Sequence, residues 1–152
     1  MTRQTMLKWT PATAALVFGL AGSPTSCVCA CTPPPPPDIL LTVAGSISQP
    51  DLNATLLEAE ALIDGQVVGR EQSTQPQAVL LPAGQKTNVV EGAHTVGFRI
   101  VSQTASPTVY EITALVNATR VPGGGGQDIN LGPRTKTLAT GDTVMFNITV
   151  NP

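Results

Sequence analysis

Residues from Asp38 onward alternate between apolar and polar side chains with a period of two, and this alternation favours extended strands. In each run, every second side chain faces a core and the intervening ones face solvent. The clear runs cover residues 39–47, 95–100, 109–116 and 143–150. Val79–Leu81 predicts a further short strand, and Thr135–Ala139 a weak one. The chain shows neither a helix–strand alternation nor an internal repeat, which disfavours a Rossmann or barrel enzyme.

Turn signals separate these runs. Ile63-Asp64-Gly65-Gln66 predicts a two-residue hairpin, because both central positions require a positive φ that Asp and Gly tolerate. Further turns are expected at 81–84, 106–107 and 141–142. Gly123–Gly126 is predicted to be a mobile loop and not a strand. If the domain has a binding surface, we expect it in loops, including Val121–Asn130.

Residues 51–63 are the one stretch where helix and strand compete. Good helix formers fill it, and Asp51 or Asn53 would cap a helix at its start. As a strand, its odd-numbered residues from 57 to 63 would line one face and lead directly into the Asp-Gly turn. We favour the strand, because hairpin chemistry at its end explains more than propensity does. With the other runs, it predicts an all-β domain over 38–152, an antiparallel two-sheet sandwich of about seven to nine strands.

The first 30 residues have the order of a secretion signal. Met1–Trp9 carries Arg3 and Lys8 and no acidic residue, and the apolar run Ala12–Gly22 follows it. This run is shorter than the ~20 residues that a membrane-spanning helix needs. We therefore expect a cleaved signal peptide over residues 1–30.

All three cysteines lie close together, at Cys27, Cys29 and Cys31, and the body has none. Val28-Cys29-Ala30-Cys31 resembles a bacterial lipobox and implies lipidation of Cys31, although Cys29 departs from the usual residue types at its position. The residue after Cys31 is Thr32 and not Asp, which by the same resemblance implies an outer-membrane location. Two alternatives stay open. One is plain secretion, with the cysteines lost on cleavage, and the other is a thiolate site for a soft ion such as Cu(I).

Five consecutive prolines, Pro33–Pro37, separate the cysteines from the body. Such a run adopts a stiff polyproline II rod of ~15 Å. We expect residues 31–37 to be a tether that holds the domain off a membrane. A plain linker or a proline-rich ligand for another domain are the alternatives.

The body is mildly acidic, with six Lys and Arg residues against ten Asp and Glu residues. No cluster of Lys or Arg is present in it, which argues against nucleic acid and anionic membrane as partners. We therefore expect an unidentified protein or surface ligand as the partner. Membrane contact would come through the lipid.

The residues that could carry chemistry are few. His94 is the only histidine, and because the chain has neither a Gly-x-Ser-x-Gly elbow nor a body cysteine, we expect a strand-edge residue and not a base. Glu58 and Glu60 share a face if 51–63 is a strand, and we expect solvated surface more than a glycosidase pair. Asp128 and Asp142 lie in predicted loops, without the clustering of a calcium site. We predict no catalytic residue, cofactor or metal in the body.

Three patches carry a family resemblance. Leu138–Val150 resembles the final two strands of bacterial immunoglobulin-like accessory domains. Glu91–Val96 looks like the strand entry of PEGA-type surface sandwiches, and Ile63–Gly69 is similar to their hairpin. The resemblance implies an immunoglobulin-like surface module, although the Cys…Trp…Cys core of true immunoglobulin domains is missing from the body. It implies no ligand and no catalytic residue.

Together these features predict a non-catalytic module, exported to the outer membrane or cell surface or secreted, with a structural or binding role. Lipid anchoring through Cys31 is the favoured form. A hydrolase with an unrecognised acidic site and a subunit of an exported assembly are the alternatives, the second because exposed edge strands invite pairing with a neighbour.

Overall fold

Nine strands make up the part of the chain that the structure, a computed structural model, describes, residues 38–152. The predictions for the signal peptide, Cys31 and the tether lie outside these residues. The strands are β1 (Asp38–Ser48), β2 (Leu56–Ile63), β3 (Gln66–Gln77), β4 (Val79–Leu80), β5 (Ala83–Val89), β6 (Gly92–Gln103), β7 (Thr108–Val121), β8 (Gly126–Leu138) and β9 (Thr143–Val150). Within 38–152, no helix has the length and hydrophobicity to cross a membrane.

The strands form two antiparallel sheets. Sheet A has the order β4-β1-β7-β8, with β5 also paired to β1, and sheet B has the order β3-β2-β6-β9. The longest register without a shift joins β1 to β7, from Asp38 opposite Val121 to Ser48 opposite Glu111. The prediction of an all-β, two-sheet antiparallel sandwich of seven to nine strands is confirmed.

The core between the sheets is mostly aliphatic, as the alternating runs predict. One aromatic contact crosses it, because the Phe98 ring packs over Gly45 of the facing sheet, where a Cβ atom would collide with the ring. Phe98 also meets Phe146 edge to face, with ring centroids 6.4 Å apart. The fully buried large side chains besides Phe98 are Tyr110, Ile39, Leu41, Ile47, Leu56, Ile63, Ile100, Ile112, Glu60, Val43 and Val96.

The contested segment 51–63 is a strand from Leu56 to Ile63, and the choice of strand over helix is confirmed. Ala59, Ala61 and Ile63 are buried as predicted, but Leu57 is not one of the buried residues. Register shifts between Leu56 and Glu58 turn Leu56 into the core in its place. A bulge of this kind shifts the alternation by one residue, so that the inward-facing positions before it and after it no longer share the same parity.

The β2–β3 turn has the predicted form. Asp64 and Gly65 have φ angles of 50° and 76°. A two-residue hairpin turn requires two such positive values, because its twist then matches the twist of the flanking strands. The hairpin prediction at residues 63–66 is therefore confirmed.

On one flank of the sandwich the two sheets touch backbone to backbone. Strand β3 of sheet B crosses β5 of sheet A, and glycines stand at the contact, Gly69 on β3 and Gly84 on β5. A Cβ atom on Gly69 would lie inside 3.0 Å of the Ala83 carbonyl oxygen, and one on Gly84 inside 3.0 Å of the Val68 carbonyl oxygen. Only residues without a side chain permit this approach.

The opposite flank, between β8 and β9, is joined by side chains. Arg134 of β8 donates from Nη1 to the Met145 carbonyl oxygen at 2.8 Å and lies over the Phe146 ring, 4.4 Å from its centroid. Gln127 donates to the Thr149 carbonyl oxygen at 3.2 Å. The edge of β9 thus has two of its carbonyl groups capped from the facing sheet.

Candidate functional site

The two ends of the sandwich differ, and the chain enters at one of them. Asp38 begins β1 opposite Val121. Arg120 next to it donates from Nε to the Pro152 carbonyl oxygen at 2.6 Å and forms an ion pair with Glu91. We call this the proximal end, because the predicted tether joins the body there.

The other end, which we call the distal end, consists of the loops 49–55, 77–82 (which contains the two-residue strand β4), 104–107 and 139–142. Backbone and side-chain bonds tie these loops together. The N–H of Thr104 donates to the Thr55 carbonyl oxygen at 2.8 Å, and the N–H of Thr140 donates to the Ser106 hydroxyl at 3.3 Å. Only Asp51 and Asp142 are charged in the four loops.

The distal end exposes three large apolar side chains. Leu52 is 76% exposed, Val79 41% and Leu81 61%. Leu52 has a φ of 55°, a left-handed conformation that a leucine rarely adopts, and its N–H donates to the Gln49 carbonyl oxygen at 3.0 Å. The backbone of Leu52 is strained, yet its apolar side chain points to solvent and adds nothing to the packing of the fold. This combination favours a role for the loop in contact with a partner.

A buried hydrogen-bond network supports the distal loops from below. The hydroxyl of Tyr110, a fully buried residue, lies 3.2 Å from the Thr55 hydroxyl and donates to Gln103 Oε1. Gln103 Nε2 in turn donates to the Leu138 carbonyl oxygen at 3.2 Å. Because every link is partnered, the network rigidifies the platform that carries the loops.

The prediction of a loop across Val121–Asn130 is wrong in its extent. Gly126–Asn130 belongs to β8, whose first residue pairs with Thr119 of β7, so the fourth glycine begins a strand. The remaining loop lies next to Val121 at the proximal end, on the side where the preceding chain enters. The longer distal loops therefore replace it as the candidate contact surface.

His94 is not at a sheet edge, contrary to expectation, because β6 is an interior strand between β2 and β9. Its Nδ1 lies 3.0 Å from Asp64 Oδ2 and its Nε2 lies 2.8 Å from the Val90 carbonyl oxygen. Both ring nitrogens thus lie within hydrogen-bond distance of protein oxygen atoms, and the His94 side chain is only 11% exposed.

Asp64 is the centre of this proximal cluster. Its carboxylate also accepts from Lys86 Nζ at 2.8 Å and from the N–H of Thr95 at 3.1 Å. Partial burial by itself raises the pKa of Asp64, but the hydrogen bonds from Lys86, Thr95 and His94 outweigh it and lower the pKa to about 2. Asp64 is therefore ionised at neutral and mildly acidic pH.

Glu58 and Glu60 are not the solvated surface that the sequence predicted. Glu60 is 1% exposed and is bracketed on the outer face of sheet B by Arg70 of β3 and Arg99 of β6. Arg70 Nε donates to Oε1 at 3.1 Å and Arg99 Nε to Oε2 at 2.9 Å, while Arg70 Nη1 lies 2.6 Å from Glu58 Oε1. The long arginine side chains cover the carboxylate because β2 is an interior strand.

This arrangement is unsuited to general acid catalysis. Burial alone raises the pKa of Glu60, yet the hydrogen bonds and charges of Arg99 and Arg70 reverse the effect and lower it below 4.5. A glycosidase acid needs the opposite shift. The bracketed carboxylate instead crosslinks three neighbouring strands.

Asp128 and Asp142 do not form a shared site. They lie near opposite ends of β8, roughly 30 Å apart along an extended strand. Asp128 accepts from Asn117 Nδ2 at 2.7 Å and Asp142 accepts from the N–H of Ala139 at 2.8 Å. Within residues 38–152, no group of three or more His, Cys, Asp or Glu residues is placed to hold a metal ion.

The Arg70–Glu60–Arg99 triad and the Asp64–His94–Lys86 cluster are the polar groupings that the sequence analysis missed. A signal existed for the triad, because Arg70, Glu60 and Arg99 each occur inside a run read as a strand or directly after a hairpin. No protein-family model, curated protein or solved structure matches the chain.

Proposed function

We propose that this chain is an exported surface or periplasmic module without catalytic activity, held at its proximal end by a lipidated Cys31, which contacts a partner protein through its distal end. The observation that carries the proposal is the separation of the two ends. The preceding chain joins at Asp38 beside Val121, whereas the exposed apolar residues Leu52, Val79 and Leu81 lie in or beside the loops at the far end.

The length of the sandwich determines how far the distal loops lie from the attachment point. Strand β1 has 11 residues from Asp38 to Ser48, which is about 35 Å of extended chain. A domain tethered at Asp38 therefore presents the 49–55 loop well away from its attachment point. This geometry suits a partner met beyond the membrane surface.

The distal loops have the chemistry of a protein contact and not of a nucleic-acid or sugar site. They carry two acidic residues, no basic residue and no aromatic side chain. Apolar side chains with a polar surround are typical of the central part of protein–protein contacts. A left-handed Leu52 on a loop fastened at its base is pre-organised, which reduces the entropy lost on binding.

Lipidation at Cys31 predicts an acylated mature N-terminus in the native host. Mass spectrometry of the intact protein and of its N-terminal peptide should find acyl chains on Cys31, and Cys31→Ser should move the protein from the membrane to the soluble fraction. Cys29→Ser and Cys27→Ser are matched controls that should leave fractionation unchanged. An unmodified N-terminus between Ser23 and Pro33 would contradict the anchor and leave a freely secreted domain.

The distal contact predicts position-dependent crosslinking on whole cells. A photo-crosslinking residue at Leu52 or Leu81 should yield a discrete heavier adduct, because these side chains are exposed at the distal end. The same residue at Val90 or Val121, which are exposed at the proximal end, is the matched control and should yield none. Adducts confined to the control positions would place the partner at the wrong end and refute the proposal.

A further inference from the structure

The Lys and Arg residues of the body differ in whether they have an acidic partner. Most form ion pairs with carboxylates of the domain, namely Arg70, Lys86, Arg99 and Arg120. Within the described part of the chain, Arg134 and Lys136 of β8 form no ion pair, and residues 1–37 contain no Asp or Glu to supply one. The unpaired cations of this acidic body therefore lie on one strand, with a single residue between them.

Both cations line an open groove of about 450 Å³ between β8 and β9. Arg134 and Lys136 are paired on β7 with Ile112 and Tyr110, which are core residues, so the two side chains leave β8 on the face towards sheet B. One acidic residue, Asp142, also lines the groove, and its carboxylate accepts a backbone N–H of its own turn at 2.8 Å. The groove thus has an excess of positive charge, although the body as a whole is acidic.

The guanidinium of Arg134 has a defined orientation in this groove. It lies over the Phe146 ring, 4.4 Å from the centroid, and its Nη1 donates to the Met145 carbonyl oxygen at 2.8 Å. Its other N–H groups donate to no residue within 38–152 and remain available to an acceptor from outside, because Arg134 is exposed. A planar guanidinium that is already oriented loses less entropy when it binds a carboxylate.

The other wall of the groove is the open edge of β9. The carbonyl groups of Met145 and Thr149 face this edge, since side chains of β8 bind them there. In an antiparallel strand every second residue directs both of its backbone groups to the same side, so Thr143 also directs its N–H and its carbonyl oxygen to the edge. Thr143 lines the same groove. An extended chain in the groove would therefore meet a backbone donor and a backbone acceptor as well as the two cations.

We propose that the β8–β9 groove binds an extended acidic segment of a partner protein, in which two carboxylates at alternate positions pair with Arg134 and Lys136. The spacing is complementary, because residues two apart in an extended chain lie roughly 7 Å apart on one face, in β8 and in the bound segment alike. A carboxylate is also the planar acceptor that a guanidinium binds best.

The groove extends to the distal end, because Asp142 of the 139–142 loop lines it. The inference rests on the proposed function for the identity of the protein that supplies the segment, which is the partner met by the distal loops. Capture of an acidic peptide by the groove depends neither on that contact nor on lipidation of Cys31, so the two proposals can fail separately.

The test is a titration of the purified full chain, labelled with ¹⁵N and followed by nuclear magnetic resonance. The probe is the peptide Thr-Glu-Thr-Glu-Thr with blocked ends, whose two carboxylates have the required spacing. It should shift the side-chain signals of Arg134 and Lys136 and the amide signal of Thr143. A peptide with Gln in place of both Glu residues, and one with the two Glu residues adjacent, should bind at least about fivefold more weakly, the loss expected for one exposed charge pair.

Two variants with the same change of net charge separate the groove from general electrostatic attraction. Lys136→Gln should weaken binding of the acidic peptide about fivefold. It should fold normally, because Lys136 forms no ion pair within residues 38–152. Lys86→Gln, which changes the proximal cluster at Asp64, is the matched control and should leave the affinity unchanged.

Three results would overturn the proposal: no binding of the acidic peptide, equal binding of the Gln peptide, or an equal loss of affinity in Lys136→Gln and Lys86→Gln. A single-stranded oligonucleotide of the same charge that binds the groove more tightly than the peptide would overturn it as well. Absence of peptide binding together with a crosslinked adduct from Leu52 would remove the groove and leave the distal contact standing. Peptide binding without an adduct from Leu52 or Leu81 would support the groove and refute the distal contact.

Discussion

Gly69→Ala is expected to lower the free energy of unfolding by at least about 3 kcal/mol, at the upper end of what inserting one methyl group into a packed site costs. The added Cβ would lie inside 3.0 Å of the Ala83 carbonyl oxygen. Its neighbour there is backbone and not the flexible end of a side chain, so β3 and β5 must separate to relieve the contact. Separation exposes the flank on which the two sheets meet.

Chemical denaturation followed by circular dichroism measures this effect. Gly132→Ala in β8 is the matched control, because an added Cβ there meets nothing within 4 Å, and its stability should change by less than about 0.5 kcal/mol. Gly84→Ala, on the other side of the crossing, should behave like Gly69→Ala. A Gly69→Ala protein as stable as the Gly132→Ala control would show that the sheets do not cross at this point.

Arg99→Met is expected to cost about 2 kcal/mol at pH 7, within the range for hydrogen bonds to a charged group. The change removes the donors to Glu60 Oε2 and leaves one arginine, Arg70, for a carboxylate that is 1% exposed. Methionine keeps most of the apolar part of the arginine side chain that covers the strand. The fall in the free energy of unfolding therefore measures the lost charge and hydrogen bonds and not lost packing.

The cost should depend on pH in a definite direction. In the native chain the pKa of Glu60 is lowered below 4.5, so its contribution is present above pH 4.5 and is lost as the pH falls further. In Arg99→Met, one of the two arginines that offset the effect of burial is gone, so the pKa of Glu60 should rise. Protonation of Glu60 at low pH then removes the buried charge and restores part of the lost stability. The difference between the two proteins should therefore be largest near pH 7 and shrink towards pH 4.

Unfolding free energies at pH 4, 5.5 and 7 test this expectation. A Glu60→Gln variant and the Glu60→Gln, Arg99→Met pair complete a double-mutant cycle in which position 60 carries no charge. In that background the cost of Arg99→Met should be small and should not change with pH. A cost that is the same at pH 4 and pH 7 with Glu60 present would contradict the role of the buried carboxylate.

The fold class could be predicted from the sequence because strands and turns are specified by residues that are close together in the chain. Alternation in the run 143–150 places Val144, Phe146 and Ile148 in the core, and the observed β9 buries those residues. The Asp64-Gly65 turn has a backbone requirement that few residue pairs meet, so it also marked the end of β2 correctly. Neither inference needs knowledge of which strands are neighbours.

The polar groupings depend on that knowledge, and here the sequence reading failed. Alternation placed Glu60 on an outward face, but the burial of that face depends on Arg70 and Arg99 arriving from β3 and β6. The environment of His94 likewise depends on Asp64, 30 residues earlier in the chain. The fourth glycine of the 123–126 run is in a strand because β7 continues to Val121 and supplies a pairing partner.

The position of β1 within sheet A determines how the domain responds to mechanical load. A pull on the residues before Asp38 is directed along β1, which is paired with β7 over 11 consecutive residues and with β5 and β4 on its other side. The backbone hydrogen bonds between β1 and its neighbours lie perpendicular to this direction. The pull therefore loads all of them together in shear and does not break them one after another. Because forced unfolding is governed by the rate of bond rupture and not by equilibrium stability, a strand gripped on both sides is suited to carrying tension.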